Sequence, residues 1–222
     1  MSESLPFNPL DTKNLAVSVA EALLGRKPRS LVTLTSFSGA GIYAIYYDGT
    51  FPAYEPLVKR NMVSQFAAPI YVGKAIPQGA RTGRTGSEGG VSKALFGRLK
   101  EHAESINTAK NLKLADFTCR FLNVEDIWIP LGESLLISKF SPLWNSIIDG
   151  FGNHDPGKGR YMGMRPRWDV LHPGRAWAER CQPRAETTDQ ILADVSQFLR
   201  TMPEPPVQTL YAEFRKPPYA IK

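Results

Sequence analysis

Cysteine and histidine are scarce in this sequence, which holds two of the first and three of the second among 222 residues. Cys119 and Cys181 show neither a CxxC pattern nor the spacing of a zinc site, so nothing indicates a disulfide framework or an oxidising compartment. Cys119 lies in a strand-like run, where we expect a buried thiol. No second histidine stands at a useful helical spacing from His154, which argues against a histidine-based metal site at residues 153–155.

Long apolar runs and a leader pattern are also missing. No stretch approaches the length of a membrane span, and residues 1–6 lack a basic segment followed by an apolar one. There is no internal repeat. We therefore expect a cytoplasmic protein with no membrane partner. Because 222 residues can bury a sizeable core, we also expect one domain with elaborations.

Positive charge, in contrast, is plentiful and unevenly placed. The net charge of +6 and the pI near 9.3 suggest a polyanionic partner. Residues 74–100 contain six basic residues against one acid, and residues 158–184 contain seven against two. Positive charge concentrated in two segments indicates a surface that follows DNA, rather than charge that serves only solubility.

Two stretches rich in isoleucine, valine and tyrosine predict paired strands. They are GIYAIYY at residues 41–47 and PIYVGKAI at residues 69–76, with glycine or proline at their ends. Each carries a tyrosine, Tyr43 or Tyr71, that would be an ordinary core residue if it stood alone. Between them, residues 54–62 could form a helix or a clamp.

Apolar periodicity predicts helices over residues 12–25, 92–107, 130–140 and 189–201, and alternation predicts a third strand over residues 116–124. Arg98 and His102 are four residues apart and share the border of an apolar helix face. They could enter a cleft, or instead be a surface charge and a buried, hydrogen-bonded ring.

Glu133 points with the apolar face of its predicted helix, because Leu136, Ile137 and Phe140 follow it at helical spacing. An inward carboxylate is unfavourable unless it is paired or bound to a metal. The alternative is a first-turn acid that interacts with the helix dipole.

The chain presents in order Tyr43, Tyr71, Arg98, His102, Glu133 and Asn145. Together with GIY at residues 41–43 and YVG at residues 71–73, this order resembles the GIY-YIG nuclease family over residues 41–145. The YVGKA and PLWN runs and the basic segment after residue 149 resemble, more narrowly, its type II restriction endonucleases. The 28 positions from Tyr43 to Tyr71 depart from the tight turn usual in the family.

The resemblance implies an α/β (α+β) fold, a small three-stranded sheet flanked by helices, with DNA-binding insertions and a C-terminal extension. We expect an N-terminal arm and helix over residues 1–40 and a nuclease core over residues 41–149. Within the core lie an insertion at residues 48–68 and a basic loop at residues 77–90. A basic extension with a helix, residues 150–222, should pack on the core.

The resemblance also implies roles in phosphodiester hydrolysis. Tyr43 would be the general base, Arg98 would hold the phosphate, and Tyr71 would orient water or phosphate. Which of Tyr43, Tyr71 and His102 takes the proton stays open. A free tyrosine has a pKa of about 10 and is protonated at neutral pH, so the site must lower that pKa or share the proton. Lys74, His102 and the metal-bound phosphate are candidates for that help.

Two further catalytic expectations concern the metal and the support of the site. Glu133 would bind one Mg²⁺, with Mn²⁺ as a substitute, because a single carboxylate leaves water and phosphate to complete the shell of a hard cation. Asn145 would either place the site by hydrogen bonding or end its helix.

Candidates for DNA contact are Arg81, Arg84, Lys93, Lys158, Arg160, Arg165 and Arg167. The glycine-rich loop at residues 77–90 is either a mobile surface loop or one that orders on DNA, with arginines on phosphates or guanine edges.

The expected function is metal-dependent cleavage of double-stranded DNA at a GC-rich palindrome such as CCGCGG, which the nearest family members by motif cut. The active form would be a homodimer, either preformed or assembled on DNA, with a cognate DNA methyltransferase in the same system. The alternatives are a homing or repair nuclease and a non-catalytic DNA-binding protein on this fold.

Overall fold

The computed structural model describes residues 12–63, 67–77, 92–157, 159 and 161–202. Its strands are β1 (Arg29–Ser30), β2 (Gly41–Tyr47), β3 (Tyr71–Ala75) and β4 (Phe117–Asn123). Its helices are α1 (Thr12–Leu24), α2 (Glu55–Val63), α3 (Ala94–Thr108), α4 (Ile129–Phe140), α5 (Leu143–Ser146), α6 (Arg167–Leu171) and α7 (Thr188–Thr201). None of the helices described is long and apolar enough to cross a membrane.

The strands form one antiparallel sheet in the order β1-β4-β2-β3. The predicted α/β architecture is confirmed, but the sheet has four strands where the sequence predicted three. The additional strand is β1, in which Arg29 pairs with Cys119 of β4. Two residues are too short for an alternating pattern to show in the sequence.

The central strand β2 is buried on both faces, since all seven of its residues are inaccessible. Tyr43, Ile45 and Tyr47 belong to a core shared with α2, α3, α5, α6 and α7. Ile42, Ala44 and Tyr46 face the opposite core, which α1 and α4 cover. A strand buried on both sides reads as a continuous apolar run, as β2 does.

The insertion between β2 and β3 packs into the core. Tyr54 and Leu57 are fully buried there. The Asn61 side chain donates to the Tyr47 carbonyl at 3.2 Å and accepts from the Ala68 amide at 2.9 Å. Of the two predicted forms, a helix and a clamp, the insertion forms the helix α2. The side-chain amide of Asn61 joins this helix to the end of β2.

The segment after residue 149 shares the core of the sheet. Phe151 and Trp168 lie in the same apolar cluster as Tyr43, together with Ile191, Val195 and Leu199 of α7. Helix α7 begins with a capping box between Thr187 and Gln190. This segment therefore supplies one wall of the space around Tyr43.

Candidate active site

The site begins with the pairing of β2 and β3. Tyr43 lies opposite Gly73, and Ile45 lies opposite Tyr71, so the two tyrosines project from the same face of the sheet. A Cβ atom at Gly73 would stand 2.4 Å from the Tyr43 hydroxyl oxygen. The glycine of the YVG motif is thus required by space, because the Tyr43 ring crosses over it.

Helix α3 brings His102 to Tyr43. The Tyr43 hydroxyl oxygen lies 2.6 Å from Nε2 of His102, and both side chains are buried. The ring of Tyr71 makes an edge contact with His102 at 5.1 Å between centroids. His102, which the sequence places at the border of the apolar helix face, therefore points inward.

Burial sets the protonation of this pair. It raises the pKa of the Tyr43 phenol well above its ordinary range, aided by Tyr71 and opposed by Arg98. Burial, followed by the charge of Arg98, brings the pKa of His102 well below the ordinary value for histidine. Tyr43 is therefore a phenol and His102 a neutral imidazole near pH 7. The hydrogen bond of 2.6 Å allows the Tyr43 proton to be shared with His102, one of the two expected forms of help.

Arg98 stands one helical turn before His102 and remains partly accessible. Its Nη2 donates to the Gly152 carbonyl at 2.6 Å, and its Nη1 donates to Glu101 at 2.9 Å and to Nε2 of His154 at 2.5 Å. Its charge opposes the rise that burial causes in the pKa of Tyr43. A cavity of about 370 Å³ opens beside it.

Lys74 and Glu133 reach the site from the other side of the sheet. Strand alternation places Lys74 on the face opposite Tyr71. Lys74 Nζ lies 2.5 Å from Oε2 of Glu133 on α4, and the Glu133 side chain is 19% exposed. Glu133 is near enough to raise the pKa of both Tyr43 and Tyr71, though burial is the largest cause for each. Lys74 thus pairs with the carboxylate.

Glu133 is an isolated carboxylate among possible metal ligands. In the part of the chain described, no group of three or more histidine, cysteine, aspartate or glutamate residues could hold a metal ion. One partly exposed carboxylate suits a hard cation that keeps water and phosphate oxygens as its other ligands, as Mg²⁺ does. The donor set therefore fits a cation held jointly with substrate.

Asn145 supports the outer edge of β3. Its Oδ1 accepts from the Val72 amide at 2.8 Å, and its Nδ2 donates to the Val72 carbonyl at 2.9 Å. The Trp144 amide donates to the Ile70 carbonyl at 2.9 Å. Asn145 therefore replaces a neighbouring strand and holds the backbone beside Tyr71. These contacts fit the positioning role better than the helix-ending one, and the part of Asn145 in catalysis stays a prediction.

The candidate DNA contacts are dispersed. Lys93 is exposed at the start of α3, whereas Arg81, Arg84, Lys158 and Arg160 lie outside the described residues. Arg165 donates to the carbonyls of Ala178 and Glu179 at 2.9 and 3.1 Å.

Arg167 is similarly engaged within the protein. It binds Glu186 and Asp194, which raise its pKa, and it donates to the Ile147 carbonyl at 3.0 Å. The DNA contact predicted for Arg165 and Arg167 stays a prediction.

Sequence reasoning missed the residues that surround Arg98 and His102. Phe151 stacks on His102 with 4.5 Å between ring centroids, and Glu101 and His154 both bind Arg98. In the sequence, His154 stood out only as a possible metal ligand, a role that the spacing of the histidines argued against. No spacing rule links it to Arg98, which lies 56 positions away.

A model of the Eco29kI GIY-YIG domain family matches residues 35–199. The match covers about three quarters of the 222 residues and extends into α7, well beyond residue 145, where the motif resemblance ended. It includes every catalytic candidate named above and confirms the family resemblance. No curated protein matches the chain.

The buried histidines should make the protein less stable as the pH falls from 7 to 5. Burial lowers the pKa of His172 to about 3 and that of His102 well below its ordinary range. Below the unfolded-state pKa of about 6.5, the unfolded chain then binds more protons than the folded one. The free energy of unfolding should fall by roughly 2 kcal/mol at pH 5 from His172 alone, as urea unfolding can measure.

The titration of Glu186 does not produce the same pH dependence. The pKa of Glu186, lowered to about 2 by Arg167 and Arg184, affects stability only near and below the unfolded glutamate pKa of about 4.3. His172→Gln, which keeps an acceptor for Tyr54, should weaken the pH dependence. Equal stability at pH 5 and pH 7 would contradict the burial of neutral histidines.

Proposed function

The chain belongs to the Eco29kI GIY-YIG domain family, a restriction endonuclease family, and from this we propose that it is a type II enzyme that hydrolyses double-stranded DNA at a specific palindromic site. The observation that carries the proposal is the cluster itself. Two tyrosines, a neutral histidine and a partly exposed arginine meet beside a carboxylate at one sheet edge. Such a set can move a proton and hold a phosphate.

In this proposal Tyr43 accepts the proton of the attacking water while passing its own to His102. The 2.6 Å contact between the hydroxyl and Nε2 allows a neutral imidazole to receive that proton. A buried phenol is a weak acid and does not readily become a free phenolate. The relay avoids that species, because the Tyr43 proton moves to His102 as the water proton arrives. Tyr71, on the next strand, orients the water or the phosphate.

Arg98 holds the scissile phosphate and stabilises the negative charge that develops on it. To do so it exchanges Glu101, its present carboxylate partner, for the phosphate. Glu133 would hold Mg²⁺, or Mn²⁺ as a substitute. Such a cation, when bound, supplies Lewis-acid activation of the phosphate and of the leaving oxygen. Lys74 neutralises Glu133 until then.

Sequence recognition in this proposal rests on the basic segments. Lys93 is exposed on the helix that carries Arg98, which suits a phosphate contact next to the site. Arg81, Arg84, Lys158 and Arg160 supply further contacts, some of them to guanine edges of a GC-rich palindrome. A cognate DNA methyltransferase in the same system would protect that site in the host's own DNA.

Tyr43→Phe should abolish plasmid cleavage, by at least 100-fold, while DNA binding persists, because proton transfer contributes about 10²–10⁴-fold to rate. The chain offers a matched control in Tyr54. Its hydroxyl lies 2.6 Å from Nε2 of His172, is equally buried, and also accepts from Nε1 of Trp144 at 3.0 Å. Tyr54→Phe removes the same kind of hydrogen bond and should still cut.

Both variants lose a buried hydrogen bond and should lose roughly 1–3 kcal/mol of stability. Rates are therefore compared well below both melting temperatures. If Tyr43→Phe cut as fast as Tyr54→Phe, Tyr43 would not belong to the mechanism, and His102 or Tyr71 would take its place.

Glu133→Gln should remove Mg²⁺-dependent cleavage and keep specific binding. The amide can still accept from Lys74, but it is a poor ligand for a hard cation. Glu186→Gln is the matched control, since Glu186 is also a partly exposed carboxylate that pairs with arginines. If Glu133→Gln cleaved DNA at the wild-type rate across a Mg²⁺ titration, the role of the carboxylate would be limited to its ion pair with Lys74.

We also expect a C₂ homodimer on DNA. The described residues of one chain hold one cluster of Tyr43, His102 and Arg98, and two related clusters are needed to cut both strands of a palindrome together. Size measurement with and without a short cognate duplex should show two chains per duplex. A single chain per duplex that linearises plasmid without a nicked intermediate would contradict it.

A further inference from the structure

Residues 150–154 cross the active site directly after α5, and we call them the strap. The Phe151 ring stacks on His102, with 4.5 Å between centroids and planes 16° apart. It also makes an edge contact with Tyr71 at 4.9 Å. The strap therefore covers the two rings that stand next to Tyr43.

The strap also holds Arg98. The Gly152 carbonyl accepts from Nη2 of Arg98 at 2.6 Å, and the His154 ring accepts from Nη1 at 2.5 Å. A Cβ atom at Gly152 would meet the Tyr71 hydroxyl at 2.8 Å and Arg98 Nη2 at 3.0 Å. The backbone of the strap thus lies directly against both polar groups.

Arg175 fixes the strap from behind. Its Nη2 donates to the Gly150 carbonyl at 2.9 Å, and its Nη1 donates to the carbonyls of Phe151 and Asn153 at 3.1 Å each. Three of the four successive carbonyls from residue 150 to residue 153 therefore bind Arg175, while that of Gly152 binds Arg98. A displaced Arg175 would move the carbonyl that orients Arg98.

Arg175 is itself held by a buried partner. It makes two hydrogen bonds to Asp169 of α6, at 2.6 and 2.5 Å, and the two side chains are only 5% and 1% exposed. Its guanidinium also lies over the rings of Trp168 and Trp177. A buried ion pair adds little net stability compared with apolar residues, so stability alone gives a weak reason for this one.

We propose that Arg175, held by Asp169, is a positioning residue for catalysis that sets the orientation of Arg98 through the strap. Lysine cannot take its place, because one ammonium lacks the planar fork that reaches three carbonyls and a carboxylate together. The inference rests on the proposed nuclease function. It adds that Arg175, in the segment after the predicted catalytic core, acts on Arg98 through the strap.

Arg175→Lys tests the proposal when compared with Arg120→Lys. Arg120 is also buried, donates to the Arg26 carbonyl at 2.8 Å and lies over an aromatic ring, Tyr46, on the opposite face of the sheet. Both variants should lose stability. In single turnover on saturating DNA, Arg175→Lys should cut about 100-fold more slowly, the scale of a 1 Å misplacement, with its affinity for DNA unchanged. Arg120→Lys should cut at the wild-type rate.

Gly152→Ala provides a second route that leaves Arg175 intact. The added methyl group pushes on Tyr71 and Arg98, so the same loss of single-turnover rate is expected, again with unchanged affinity for DNA. Ring signals of His102 and His154 in ¹⁵N NMR should shift in Arg175→Lys and in Gly152→Ala, but not in Arg120→Lys.

The outcomes separate this inference from the proposed function. A wild-type protein that cuts no DNA under any metal condition overturns the nuclease function itself. If the wild type cuts and Arg175→Lys cuts as fast as Arg120→Lys, Arg175 is only structural. A loss of DNA affinity with an unchanged rate on saturating DNA would also overturn the positioning role. Wild-type cleavage by Gly152→Ala would show that the strap does not orient Arg98.

Discussion

The hydrogen bond between Tyr43 and His102 is the interaction on which the rest of this structure depends. It joins the central strand β2 to α3 inside a core that excludes water, at 2.6 Å between the hydroxyl oxygen and Nε2. Burial favours the neutral forms of both groups, so the pair is a phenol beside an imidazole. Arg98 and Glu133 bring charge to the site from partly exposed positions. The site thereby combines an uncharged route for protons with charged groups that face the substrate.

The exposed edge of the sheet lets this arrangement form. Because no strand among the described residues pairs with the outer side of β3, Tyr71 can stand at the opening on one face, while Lys74 pairs with Glu133 of α4 on the other face. An unpaired edge also carries free backbone groups, which invite pairing with another chain. Asn145 and the Trp144 amide satisfy those at Val72 and Ile70. The short helix α5 thus protects the edge and keeps it rigid beside Tyr71.

Positive charge in the C-terminal segment serves the protein's own structure as well as any partner. Residues 158–184 contain seven basic residues, and all five of those that the structure describes make hydrogen bonds or ion pairs within the chain: Arg165, Arg167, Arg175, Arg180 and Arg184. The planar guanidinium suits this use because it can satisfy several carbonyls at once. Net charge in a segment is therefore a weak guide to a DNA surface until the partners of each arginine are known.

The sequence by itself determined the strands of the GIY and YVG motifs, four of the helices and the catalytic candidates, because apolar periodicity and motif order are local properties of the chain. It could not place β1, whose two residues owe their pairing to β4. Tertiary structure alone decided that Lys74 binds Glu133, that Asn145 binds Val72, and that His154 binds Arg98. It also decided that Phe151 stacks on His102 and that Arg175 holds the strap. These contacts join residues tens of positions apart, and no spacing in the sequence specifies which distant carbonyl or carboxylate an arginine or a lysine will meet.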